Sequence, residues 1–250
     1  MQAESPLLSL DNVAVSFDGF QALQGITLDF HPRELICLIG PNGAGKSTLL
    51  DIITGLTQPD QGRILYQGQD LLRLSEAARV NQGIARKFQT PSVFPDLDVI
   101  GNIALCLSGS RGLRHSLRPL KSREIKARVH PILERIGLQD HGNYPAGLLS
   151  HGQKQWLEIG MILALNPTLI LLDEPVTGMT PNEIEITRSL IEDLLRDHCV
   201  VLIDHDMGFI RSIARQVIVL HQGRILKRGR MEEIESDPMV QQVYLGYQHA

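Results

Sequence analysis

Two short stretches carry the residue types that handle phosphate groups. In the first, Gly40, Pro41, Asn42, Gly43, Ala44, Gly45, Lys46, Ser47 and Thr48 follow one another without interruption. Glycines allow a backbone to turn so that successive N–H groups face one centre, and such a turn takes phosphate oxygens. Lys46 is placed to reach β and γ phosphates, and Ser47 to set its hydroxyl on a magnesium ion. In the second stretch, Asp173 and Glu174 close the apolar run Leu169–Leu172. Side chains alternate along a strand, so the two acids are expected to point in different directions. Asp173 is then expected in the magnesium shell and Glu174 against the attacking water, because phosphoryl transfer needs mainly positioning and charge stabilisation. Taken alone, such an acid pair more often caps a helix or sits in a solvated turn. Beside a phosphate loop the catalytic reading is the stronger one.

These residues need elements to hold them. The glycine loop follows the apolar run Leu35–Ile39 and precedes Leu49, Leu50, Ile52 and Ile53, which can open a helix. Strand, loop, helix is the context in which a helix N-terminus adds its positive dipole end to a phosphate site. Leu169–Leu172, Val200–Ile203 and Val217–Leu220 are further short, β-branched or leucine-rich runs and read as buried strands. Helix-length segments separate them, which predicts an α/β chain with a mostly parallel core sheet. Leu8–Phe17, Gly25–Phe30 and Arg63–Tyr66 alternate more and read as an antiparallel strand layer. From about 91 to 155 strand signals are weak. Glu124–Ile136 has helical spacing there, with Ile125, Val129, Ile132, Leu133 and Ile136 on one side. The expected organisation is one domain, with an α/β core from 1–90 and 156–250 and an inserted helical lobe from 91–155.

Composition narrows the class. The chain has 250 residues, 43% of them hydrophobic and 21% charged, which suits a folded globular protein able to bury its own core. The net charge is −4, without the basic excess of a nucleic-acid binder, so no nucleic-acid partner is expected. Cys37, Cys106 and Cys199 are too scattered for a metal-ligand pair and read as reduced thiols. The N-terminal MQAESPLLSL lacks the pattern of a secretory signal, and no apolar run is long enough to cross a bilayer. Attachment to a membrane is therefore expected to come through partners.

Further residues fall into the same order along the chain: Phe17, Gln89, the run Leu149, Ser150, His151, Gly152, Gln153, and His205 after the strand-like Val200–Ile203. With the two phosphate motifs, this pattern resembles the ATP-binding subunits of ABC transporters, from Leu8 to about Gly246. The resemblance implies a P-loop ATPase fold with an antiparallel β layer and an inserted α-helical subdomain, and ATP and Mg2+ as ligands. It implies that Phe17 stacks on adenine, although a core aromatic is the plainer reading of that residue alone. Gln89 is implied as a magnesium ligand that links the site to the helical lobe, and His205 as a contact to the γ-phosphate. Residues 149–153 are implied to cap ATP held by a second, similar subunit in a head-to-tail pair. A helix beginning after Ser150 would offer backbone N–H groups for that contact.

Two departures narrow the resemblance. The usual signature has glycine where this chain has His151, and the acid usual in the loop after the catalytic glutamate is missing from Val176–Thr180. Leu149–Met161 and Asp173–Thr180 together look like the ATP-binding subunit of the urea uptake transporter, a group similar to branched-chain amino-acid importers. The implied partners are two membrane-spanning permease subunits, a second ATPase subunit and, indirectly, a solute-binding protein. The implied place is peripheral, on the cytoplasmic face of the inner or plasma membrane. A soluble ABC-type ATPase without a transport role is the alternative class, and branched-chain amino acids are the alternative cargo. Trp156 reads as packing under the signature helix. The basic stretch Arg111–Arg128 reads as a solvated face or as a contact to anionic lipid head groups.

Overall fold

The computed structural model describes residues 5–88, 92–109 and 122–245. Ten strands form two sheets: β1 (Leu8–Phe17), β2 (Phe20–Phe30), β3 (Leu35–Ile39), β4 (Gln61–Tyr66), β5 (Gln69–Asp70), β6 (Ile84–Lys87), β7 (Leu169–Asp173), β8 (Cys199–Ile203), β9 (Gln216–His221) and β10 (Arg224–Gly229). The smaller sheet is antiparallel, in the order β2-β1-β4-β5. The larger runs β10-β9-β3-β8-β7-β6. All of its neighbours are parallel except the edge pair β9 and β10. The fold is thus the expected α/β P-loop architecture with an antiparallel β layer.

Strands β3 and β8 are apolar at every position, and β7 at all but Asp173, because both faces of these central strands are covered. Along β3 the side chains part by alternation. Ile36 and Leu38 enter one core, and Leu35, Cys37 and Ile39 enter the other. The first core lies between the two sheets and around α1 (Lys46–Thr54), which contributes Leu49, Leu50, Ile52 and Ile53. The second core joins the opposite sheet face to the remaining helices. These include α3 (Val99–Gly109), α4 (Ser122–Arg135), α5 (His151–Leu163), α6 (Pro181–Leu194) and α7 (Met207–Ile213). The short helix α2 (Glu76–Asn81) precedes β6. Helix α5 runs through residues 155 and 156, so the helical segment and the α/β core share one continuous element.

Strands β6 and β10 are absent from the strand runs read in the sequence. Strand β6 has only four residues and ends in Arg86 and Lys87, so its apolar signal is brief. Strand β10 is the sheet edge and carries Arg224, Lys227 and Arg228, which suits an edge but hides the strand in the sequence. Helix α4 matches the expected helix to within two residues at its start, with Val129 and Leu133 buried.

Candidate active site

The loop of residues 40–45 joins β3 to α1. Gly45 takes φ of 104°, and a Cβ there would lie 2.6 Å from the Ala22 carbonyl oxygen, so only glycine brings the loop this close to β2. Gly45 is also the N-cap of α1 and supplies no side-chain cap, which leaves the first-turn N–H groups to serve a ligand. Lys46 is buried and folds back over the loop, where its Nζ donates to the Gly40 carbonyl at 2.7 Å and the Pro41 carbonyl at 3.0 Å. Burial pushes the Lys46 pKa down, and the nearby charges of Asp173 and Glu174 oppose that shift.

Residues from four parts of the chain meet at one cleft of about 300 Å3. Phe17 and Phe20 stand at it from the β1–β2 hairpin, the phosphate loop and Lys46, Ser47 and Thr48 form its floor, and Asp173, Glu174 and His205 close it. Asp173 ends β7 with its side chain buried. Its Oδ2 accepts from Arg86 Nη2 at 3.0 Å, while Oδ1 is buried without a hydrogen-bond partner among the described residues. Glu174 lies one residue past the strand, with φ of 49°. That left-handed turn lets both acids line the cleft, rather than sending them apart as strict strand alternation would. The Glu174 amide donates to the Ile203 carbonyl at 2.8 Å, and its Oε1 stands 3.0 Å from His205 Nε2.

Phe17 and Phe20 pair across the hairpin and are 47% and 64% exposed, so neither is a core aromatic. Gln89 lies outside the described residues. The run Leu149–Gln153 is not among the residues that line the cleft. Ser150 instead caps α5, accepting from the Gln153 amide at 3.2 Å while Gln153 Oε1 accepts from the Ser150 amide at 2.9 Å. The His151 ring reaches the Thr177 carbonyl at 3.1 Å and would stand 3.5 Å from a Cβ at Gly178, so the extra bulk lies beside the loop after Glu174. Trp156 is 6% exposed, and its Nε1 donates to Thr187 Oγ1 on α6 at 2.9 Å. Of the basic stretch, Arg123, Lys126 and Arg128 are exposed on α4, and the residues from 110 to 121 lie outside the described part.

Two positioning residues have no motif signal of their own. Arg86 bridges Asp51 of α1 and Asp173 of β7, tying the helix after the phosphate loop to the acid strand. A charged residue next to a second one in a weak strand looks solvent-facing in sequence, so nothing there marks it. Asp204 is buried, and its Oδ1 accepts from the amides of His205 at 2.7 Å and Asp206 at 3.0 Å, shaping the turn that presents His205. Burial raises the pKa of Asp204, and these amides counter the rise.

The donors suit a magnesium ion. Asp173 keeps one carboxylate oxygen without a partner among the described residues, and Ser47 lines the same cleft. Among the described residues no cluster of three or more His, Cys, Asp or Glu side chains is arranged as an all-protein metal cage. Magnesium is usually held by one or two carboxylates together with substrate phosphates, which needs no such cage.

A family model described as ABC transporter matches residues 23–177. The high-affinity branched-chain amino acid transport ATP-binding protein LivG of Escherichia coli K12 is 35% identical over 250 residues, covering 96% of this chain and 98% of LivG. The ADP conformation of MJ1267, an ATP-binding cassette of an ABC transporter, superposes with a TM-score of 0.84 at 29% identity, covering 97% of this chain and 99% of that one. The dimeric post-hydrolysis structure of the cassette MJ0796 bound to ADP and Pi superposes at 0.78 with 25% identity, covering 90% of this chain and 98% of that one.

Proposed function

The chain belongs to the ABC transporter family as its ATP-hydrolysing cassette, and on that premise we propose that it is the motor subunit of a solute importer, working head to tail with a second ATPase subunit. The observation that carries the catalytic part is the convergence of Lys46, Ser47, Asp173, Glu174 and His205 on one cleft. The phosphate loop and the first turn of α1 bind the β and γ phosphates through backbone N–H groups. Lys46 leaves its loop carbonyls to pair with those phosphates. Phe17 stacks on the base, with Phe20 beside it. Ser47, Asp173 and Gln89 hold Mg2+, which when bound neutralises charge on the phosphate oxygens. Glu174 orients and polarises the attacking water, and His205 holds the Glu174 carboxylate from one side and meets the γ-phosphate from the other. Ser150, His151 and Gly152 serve the nucleotide held by the opposite subunit, in keeping with their place outside the chain's own cleft.

Two permease subunits and a solute-binding protein complete the importer. Among the described residues no helix is long and apolar enough to cross a membrane, so the chain is proposed to sit peripherally on its permease at the cytoplasmic face. Branched-chain amino acids are the cargo best supported, by the full-length similarity to LivG. A urea cargo is the second reading, favoured by the runs Leu149–Met161 and Asp173–Thr180. The chain joined to its permease in vesicles is expected to accumulate labelled leucine in an ATP-dependent way. Accumulation of urea without leucine would replace the first cargo by the second, and accumulation of neither would remove both. The catalytic assignment has its own test. Glu174→Gln is expected to bind ATP, to lose turnover and to accumulate as an ATP-bound pair, and normal turnover by that variant would strip Glu174 of its role.

A further inference from the structure

The Glu174 carboxylate has two neighbours, one on each oxygen. His205 Nε2 stands 3.0 Å from Oε1, and Thr177 Oγ1 donates to Oε2 at 3.3 Å. The same Thr177 presents its backbone carbonyl to His151 Nε2 at 3.1 Å. Thr177 thus joins the acid at the cleft to the residue that replaces glycine at the start of α5.

The chemistry fixes the proton on the imidazole. A carbonyl oxygen only accepts, so the contact to Thr177 is a hydrogen bond only when Nε2 carries the hydrogen. Gln155 reaches the same nitrogen with its side-chain amide, 3.2 Å away, while its Oε1 is buried without a partner among the described residues. With the amide turned over, Oε1 accepts from the same Nε2–H and the orphaned oxygen is satisfied. The ring also lies beside Gly178, where an added Cβ would stand 3.5 Å from it. Glycine at position 151 could make none of these contacts.

We infer that Thr177 and His151 are positioning residues for hydrolysis: the Thr177 hydroxyl fixes the Glu174 carboxylate, and His151 fixes Thr177 by its backbone. The inference rests on Glu174 being the group that addresses the water. Glu174 follows the end of its strand in a left-handed turn, and an unrestrained side chain of its type samples several staggered rotamers. The Thr177 hydroxyl donating to one oxygen and the His205 ring standing beside the other restrict it to the orientation from which it can polarise a water.

The test compares Thr177→Val, which keeps the shape and removes the hydroxyl, with Thr177→Ser, which keeps the hydroxyl. Both are measured in the assembled ATPase complex. Thr177→Val is expected to lower kcat about tenfold, as for loss of one hydrogen bond to a charged group, with KM for ATP within about twofold. Thr177→Ser is expected to retain the wild-type rate. His151→Ala is expected to lower kcat in the same direction, and the double variant Thr177→Val/His151→Ala to lose no more than the larger single loss, because both act on one carboxylate. A full rate in Thr177→Val, equal losses in the Val and Ser variants, or multiplying losses in the double variant would overturn the inference. Glu174→Gln is assayed alongside. If it turns over normally, the role of Glu174 itself fails; if it is inactive while Thr177→Val keeps full rate, only the positioning role fails.

Discussion

Lys46 and Arg86 show how single side chains set the cleft. Lys46 is held by two carbonyls of its own loop, at 2.7 and 3.0 Å, so its charge is partly satisfied before any nucleotide arrives. Exchange of carbonyls for phosphate oxygens replaces neutral acceptors with charged ones and strengthens each bond. Lys46→Ala is therefore expected to abolish measurable ATP binding in a calorimetric titration while the fold persists, and unchanged affinity would contradict the assignment. Arg86 works at the back of the same site. Its side chain is 6% exposed and serves Asp51 and Asp173 together. Arg86→Met removes the ion pair described for the buried Asp173 and leaves only the more distant charges of Lys46 and Lys87 near that carboxylate. A loss of about 3 kcal/mol in chemical denaturation is expected, as for breaking a buried ion pair from one side. Arg86 was not legible in the sequence, because its partners come from residues 35 positions before it and 87 positions after it.

At the scale of elements, the site depends on where α1 begins and how it ends. Its N-terminus faces the cleft, and its C-terminus is closed by Gly55 with φ of 95° and by Arg79 of α2. Arg79 is fully buried and donates to the carbonyls of Ile52 at 2.6 Å, Ile53 at 3.2 Å and Leu74 at 3.1 Å. A cation at a helix C-terminus complements the dipole and satisfies carbonyls that have no partner within the helix. Arg79→Met is expected to cost about 2 kcal/mol, read from a shifted denaturation midpoint with an unchanged slope. A second tie links β6 to α5. Lys87 lies 3.8 Å from Glu158, and Glu158 Oε1 accepts from the Ser92 amide at 3.4 Å, across the segment that contains Gln89. Burial pushes the Lys87 pKa down and the Glu158 pKa up, and each is opposed by the charge of the other. Strand β6 and helix α5 are therefore joined by a buried polar contact as well as by the apolar core they share.

At the scale of the molecule, the signature run at the start of α5 stands apart from the residues that line the cleft proposed to hold nucleotide. If that run serves a partner's nucleotide, activity must depend on pairing. ATPase activity per subunit is expected to rise with protein concentration until pairing saturates, and a rate per subunit that is constant on dilution would exclude the head-to-tail arrangement. The sequence by itself determined the phosphate loop, the central apolar strands and the acid pair, because each is a local pattern whose spacing is fixed by backbone geometry. Tertiary structure alone decided what those residues touch. Arg86 holds Asp173, Asp204 shapes the His205 turn, and His151 folds onto the loop after Glu174. The His151 contact spans 26 positions and the Arg86 contact 87, distances at which no periodicity in the chain survives. Only the packing of α5 and the parallel sheet brings such groups within hydrogen-bonding range.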